Sequence, residues 1–258
     1  MAAPRSTPPA RTRSRSRWTG LSAADRKAER RRLLLEAAFD LLGSEGWSAT
    51  TVRAVVERAS LNPRYFYESF KDLDELVVAV YDSVVEQMGA VVIDALAAAG
   101  DEPADQITAG VGAIIDFVDA DRRRGRVLYV EGLGNEALNH RRLEAGQAVV
   151  AFVERFAADQ RAADHRATGP GEPIGRVAGA ILVGGFSQLL VEWLEGRIRV
   201  SKATLATDAA ELFLAIGRTG SSIADRRAAA PQRGRRPGRP DVDQCTVTLP
   251  KWATESSQ

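Results

Sequence analysis

The chain has 258 residues, 45% of them hydrophobic, and a formal net charge of +1, which is enough apolar material for a packed core in one large or two modest domains. Its one cysteine, Cys245, excludes an intrachain disulfide and fits a cytoplasmic setting. No apolar stretch follows the N-terminal arginines, and the uncharged run Val177 to Val191 is short for a bilayer, so neither a secretory signal nor a membrane span is expected.

The small net charge hides an asymmetry. Residues 1–32 hold ten Arg/Lys against two acids, and residues 219–258 hold seven against four. The body between them holds eighteen against twenty-eight. A basic arm and a basic tail flanking an acidic body suit a polyanion that is met at the ends.

Along the chain, residues 1–20 are rich in Pro, Ser and Arg and read as a disordered arm. Ser22 with Asp25 three residues on marks a helix start. The helix carries Leu34, Leu35, Ala38, Phe39 and Leu42 on one face and ends at Gly43 and Gly46. Thr50 is placed as the N-cap of a second helix, with Val52, Val55, Val56 and Ala59. Asn62 caps a third, with Pro63 at its first position. Asp72 with Glu75 caps a fourth, running to about residue 99. Helical patterning continues near 104–120, 124–133, 136–164, 174–196 and 202–217, and no strand-like alternation persists. From Thr219 on, Gly, Pro, Arg and Ser return and the chain is expected to lose order.

Residues 50–81 carry most of the information. Two short helices joined by a turn form a helix-turn-helix, whose second helix enters a DNA major groove. Asn62-Pro63-Arg64-Tyr65-Phe66-Tyr67 puts a helix start, a cation and aromatics into one or two turns. A helix that short is not stable alone, so Phe66 and Phe70 should anchor it inward while Arg64, Tyr65 and Tyr67 face out. Thr51, at the start of the second helix, offers a hydroxyl and free N–H groups to phosphate. Arg53 lies on that helix's exposed side and can donate two hydrogen bonds to a guanine.

LLLEAAFDLLGSEGWSATTVRAVVERA, then YFYESF, then KDLDEL resemble the N-terminal DNA-binding domain of the TetR family of bacterial transcriptional regulators. The resemblance covers residues 25–81 and implies DNA contact by Thr51, Arg53, Pro63, Arg64, Tyr65, Tyr67 and Lys71, with Tyr67 at the phosphate-contacting tyrosine of the family. Two positions depart from the pattern: Ser60 replaces the usual turn glycine, and Leu73 replaces a common lysine. The resemblance further implies an all-α architecture of a three-helix DNA-binding domain (21–80) and a C-terminal helical bundle (81–218) for ligand binding and dimerisation, with basic segments at 1–20 and 219–258.

The implied pocket takes an apolar small molecule, with Met88, Phe117, Tyr129, Phe152, Phe156 and Trp193 as lining candidates and Glu131, Asn135 and Gln188 as polar anchors. Each apolar one, taken alone, reads more readily as core, and the polar ones fall mostly at helix ends. The implied homodimer interface draws on Gly184, Ser187, Val191, Leu212 and Phe213. The expected function is a dimeric repressor on a palindromic operator. A DNA-binding dimer governed by a protein partner is the alternative, and a small helical enzyme acting on an apolar substrate is a third reading. Against the enzyme, the only histidines, His140 and His165, have no metal-ligand spacing, and no phosphate loop or nucleophile elbow occurs. No cofactor or metal is expected. The tail segment GRRPGRP (234–240) resembles an AT-hook but has Pro237 where the motif has arginine, and it reads as a basic tail.

Overall fold

Capping and apolar spacing set the element order of the computed structural model, which describes residues 22–163 and 173–229. Its helices are α1 (Ala23–Ser44), α2 (Val52–Arg58), α3 (Pro63–Tyr67), α4 (Leu73–Ala98), α5 (Pro103–Ala120), α6 (Arg122–Gly125), α7 (Glu136–Ala163), α8 (Pro173–Leu194) and α9 (Lys202–Ala229). Short 3₁₀ turns occupy Trp47–Ala49 and Glu131–Gly134, and no strand occurs among the described residues. The AT-hook-like segment, Cys245 and His165 lie outside the described residues.

Three caps form as the sequence implies. Ser22 and Asp25 make a reciprocal capping box on α1, which satisfies two of its free N–H groups. The Asn62 side chain accepts from Arg64 N at 2.9 Å, and Asp72 accepts from Glu75 N at 2.8 Å. The cap of α2 differs from expectation. Thr51, not Thr50, accepts from Ala54 N, while Thr50 is buried and its hydroxyl donates to Gly46 O at 2.9 Å. Adjacent threonines are equivalent in sequence, and burial decides between them.

The first core joins α1 to α4: Leu34, Leu41, Leu42, Val55, Phe66, Phe70, Leu76 and Val77 are all essentially inaccessible. Each such side chain stabilises by about 1.5–3 kcal/mol on burial. A second core joins α5, α8 and α9 through Ile115, Phe186, Leu190, Trp193 and Leu205. Ile114, Tyr129 and Leu194 touch both. Helices α4 and α8 are apolar and long enough to span a bilayer by composition, but both contribute to these cores.

Two expectations in the bundle are corrected. The single helix expected near 124–133 is the short α6, a π-helical turn at Arg126–Val130 and then the second 3₁₀ turn. Glu131 N donates to Arg126 O, five residues back. Helix α9, expected to stop near 217, runs to Ala229. Ala224 is buried there, and Gly220 packs on Ala178 of α8, so tertiary contact outweighs the helix-weakening Gly and Ser residues.

Candidate nucleic-acid interface

Helix α3 has five residues, so its position depends on what holds it. Phe66 is wholly buried beside Phe70, with ring centroids 6.0 Å apart. Two arginines of α1 clasp it from outside. Arg31 Nη1 donates to Ser69 O at 2.9 Å and lies over the Phe70 ring at 4.1 Å. Arg30 lies over the Tyr65 ring at 4.4 Å, with Glu68 at 3.6 Å. These clasps were not foreseen, because contacts across nearly forty residues leave no local signal.

Between α2 and α3 the chain turns at Ser60, whose φ is +54°. That is the left-handed region which a glycine fills freely and which costs another residue about 1–2 kcal/mol. The turn thus forms with serine in the conformation that the usual glycine would take.

The outward face of this frame gathers most of the residues assigned to DNA. Thr51, Pro63, Arg64, Tyr67, Lys71 and Arg53 are exposed. Tyr67 is 64% accessible and stands edge-on to Phe66, with centroids 5.2 Å apart. Tyr65 differs: it is half-buried under Arg30. Each cation already has a carboxylate. Arg53 Nε meets Glu57 at 2.9 Å, Arg64 Nε meets Glu68 at 2.9 Å, and Lys71 Nζ lies 3.4 Å from Asp72. The Glu57 carboxylate pushes the Arg53 guanidinium pKa up, while the Glu75 amide hydrogen bond pulls the Asp72 carboxyl down.

A junction of ions and glycines ties this frame to the bundle. Asp40 of α1 accepts from Arg123 of α6 at 2.9 Å and also pairs with Arg58 of α2. Arg126 donates to Ser44 O at 3.1 Å and to Glu131 at 2.6 Å. Glu131, expected to anchor a ligand, is instead buried against the 3₁₀ turn that follows α1, where its other oxygen accepts from Trp47 N at 2.8 Å. Gly43 and Gly134 permit the approach: a Cβ on Gly43 would lie 2.5 Å from Arg123 Cβ, and one on Gly134 would lie 2.8 Å from Trp47 Cδ1.

The remaining pocket and interface candidates are spread across the bundle. Asn135 caps α7 by accepting from Leu138 N and donates to Asp74 at 2.7 Å. Gln188 is exposed and bonded to Glu192. Phe117 and Trp193 are buried, Trp193 with its indole N–H on Val200 O, and Phe152 and Phe156 are half-buried. Tyr129 and Met88 meet, hydroxyl to sulfur, at 3.8 Å, and burial pushes the Tyr129 hydroxyl pKa up. On α8, Val177, Ile181, Gly184 and Gln188 form an exposed stripe at helical spacing. Leu212 of α9 is 60% exposed, whereas Ser187 and Val191 are half-buried and Phe213 packs on Phe186 at 5.4 Å.

Residues 34–80 match the family model described as bacterial regulatory proteins, tetR family. Among similar solved structures is a transcriptional regulator from Pseudomonas aeruginosa PAO1, at 17% identity and a TM-score of 0.63, covering 82% of this chain and 98% of that one. A TetR-family regulator from a Rhodococcus species is 19% identical with a TM-score of 0.60, covering 73% and 98%. The regulator FadR from Bacillus subtilis, solved in complex with stearoyl-CoA, is 13% identical with a TM-score of 0.58, covering 70% and 96%. At these identities the likeness is one of fold.

Proposed function

We propose that the chain, whose residues 34–80 match the tetR family model over a DNA-binding helix-turn-helix, is a regulator of the TetR family that acts as a dimeric repressor released from a palindromic operator by a small apolar ligand. The observation that carries the DNA half of this reading is the exposed set Arg53, Arg64, Tyr67 and Lys71 on a frame fixed by Phe66, Phe70, Arg30 and Arg31. Arginines reach base edges, and the Tyr67 hydroxyl and Lys71 reach phosphates. Thr51, Pro63 and Tyr65 complete the contact face.

Dimerisation is supported by the stripe on α8 and by Leu212 on α9, which leave aliphatic side chains in water. A two-fold pair would set two recognition helices about 34–36 Å apart, the spacing of successive major grooves. A ligand that favours another spacing would lower DNA affinity through the α1–α6 junction. The acyl-CoA carried by the Bacillus subtilis relative makes an acyl chain a reasonable class of ligand, with Met88 and Tyr129, which touch, and the half-buried Phe152 and Phe156 as lining candidates. Such a regulator works in the cytoplasm and needs no catalysis.

One observation favours the alternative, a DNA-binding dimer governed by a protein partner. The three polar anchors, Glu131, Asn135 and Gln188, are already bonded to protein groups. Selection of bound fragments from sheared genomic DNA at physiological salt tests the DNA half: recovery of a short palindrome supports it, and binding without sequence preference refutes it. Thermal shift against acyl and other apolar ligands then divides the two readings, because only a sensor is stabilised by a ligand that also releases the operator.

A further inference from the structure

The reading surface is not basic. Residues 47–75, from the 3₁₀ turn to the first turn of α4, hold four cations and five acids. Nonspecific binding comes from cations that displace counterions from phosphates, so this surface by itself holds random DNA weakly. The acids are not scattered: Glu57 stands four residues after Arg53, Glu68 four residues after Arg64, and each accepts from its arginine's Nε at 2.9 Å. That bond uses the inner edge of the guanidinium. Both arginine side chains remain over four-fifths exposed, and among the described residues no hydrogen bond or ion pair occupies their Nη groups. Two free Nη groups on a guanidinium braced at Nε are the donors that fork onto the O6 and N7 of guanine. A phosphate, in contrast, meets an arginine whose charge is already cancelled, with a carboxylate beside it.

We propose that Glu57 and Glu68 are specificity-determining residues, which brace Arg53 and Arg64 for guanine and suppress their attraction to phosphate. The proposal rests on the DNA-binding reading above. Glu68 is further fixed by Arg30 on its other side, 3.6 Å away, so the brace on α3 is anchored to α1. These two glutamates act through the arginines and are positioning residues. Glu57 is the cleaner test, since it is well exposed and, among the described residues, its carboxylate pairs with Arg53 of its own helix alone.

The test compares full-length protein and its Glu57→Gln, Glu68→Gln and Glu57→Asp variants on the selected operator and on a random duplex, by fluorescence anisotropy across a salt series. The glutamine variants are expected to bind random duplex about five- to tenfold more tightly, from the loss of one like charge several ångströms from phosphate. Their salt slope should steepen by about one to two counterions per dimer. Operator affinity should stay level or fall, so the operator-to-random ratio drops about tenfold or more. Glu57→Asp keeps the charge but loses reach: random affinity should stay low while operator affinity falls. Equal shifts on both DNAs, with the ratio unchanged, would overturn the inference alone. A wild-type protein with no preferred sequence would overturn the DNA-binding reading and the inference together. Melting curves of the two Glu57 variants, expected to match wild type closely, exclude misfolding as the cause.

Discussion

Replacing Phe66 and its neighbour Tyr67, one at a time, separates the frame of the recognition helix from its face. Phe66 is wholly buried and touches both Phe70 and Tyr67, so Phe66→Ala leaves a cavity that α3 cannot close by itself. The expected loss is about 3–5 kcal/mol. Against a typical total of about 5–15 kcal/mol this is a large share, and the melting temperature should fall by roughly 10 °C. Tyr67→Ala removes a mostly exposed ring and one edge contact, about 0.5–1.5 kcal/mol, and should melt within a few degrees of wild type. Its cost falls on DNA. A hydroxyl hydrogen bond to a charged phosphate contributes about 1.5–3 kcal/mol, and a dimer makes two, so operator affinity should drop about a hundredfold or more. Tyr67→Phe keeps the ring and loses only the hydroxyl, and should lose most of that affinity. Circular dichroism melts and anisotropy on the selected operator read the two quantities. Wild-type affinity in Tyr67→Phe, or wild-type melting in Phe66→Ala, would refute the division between frame and face.

Ser60→Val should destabilise by more than about 1 kcal/mol in a urea melt, since a β-branched residue tolerates the left-handed turn worse than serine does, while Ser60→Gly should melt at or above wild type. Glutamates at both Ile181 and Leu212 should leave the fold intact and yield a monomer by sedimentation, with operator binding lost; a surviving dimer would move the interface elsewhere. Glu131→Ala breaks a half-buried ion pair with Arg126 and orphans the Trp47 N–H, at a cost of about 1–3 kcal/mol seen in a thermal melt. Burial pushes the Tyr81 hydroxyl up to about 12 and raises that of Tyr129 as well. Both folded values exceed the unfolded one, so this contribution is complete below about pH 10 and declines as pH rises toward 12. The melting temperature should fall over that window, with the phenolate absorbance of these two tyrosines emerging together with unfolding.

Local chemistry explains what could be read from the chain. Ser22 with Asp25, Asn62 with Pro63, and Asp72 with Glu75 each specify a helix start within four residues, and the structure has all three. The same locality fails where distant parts decide. Thr50 and Thr51 are alike until burial selects one as the cap. The length of α9 depends on α8 packing beside Gly220, against a composition that signals disorder. The arginine clasps on α3 and the facing of Glu131 are contacts across 38 and 84 residues, beyond any periodic signal.

The largest misreading, one helix over 124–133, falls where the bundle meets the DNA-binding domain, and the coincidence has a physical basis. A regular helix through that segment would turn successive side chains by a constant angle. The π turn at 126–130 adds a residue, and the 3₁₀ turn after it tightens the winding again. The offset places Arg126 on Ser44 and Glu131 while Val127 and Leu128 stay in the core. Gly125 is packed so closely on Val118 and Leu194 that a side chain there would displace them. The irregular turn is thus fixed on both sides: by the bundle core through Gly125 and Tyr129, and by the DNA-binding domain through Glu131 on Trp47 and Arg126 on Ser44. Any rearrangement of α5 or α8 that returned one residue to regular α geometry would withdraw Glu131 from the Trp47 amide. Just before the irregular turn, Arg123 of α6 pairs with Asp40, the carboxylate that also holds Arg58 of α2. A change in the bundle would reach the helix-turn-helix through Glu131 and through the Arg123–Asp40–Arg58 chain, with no need for the recognition helix itself to deform.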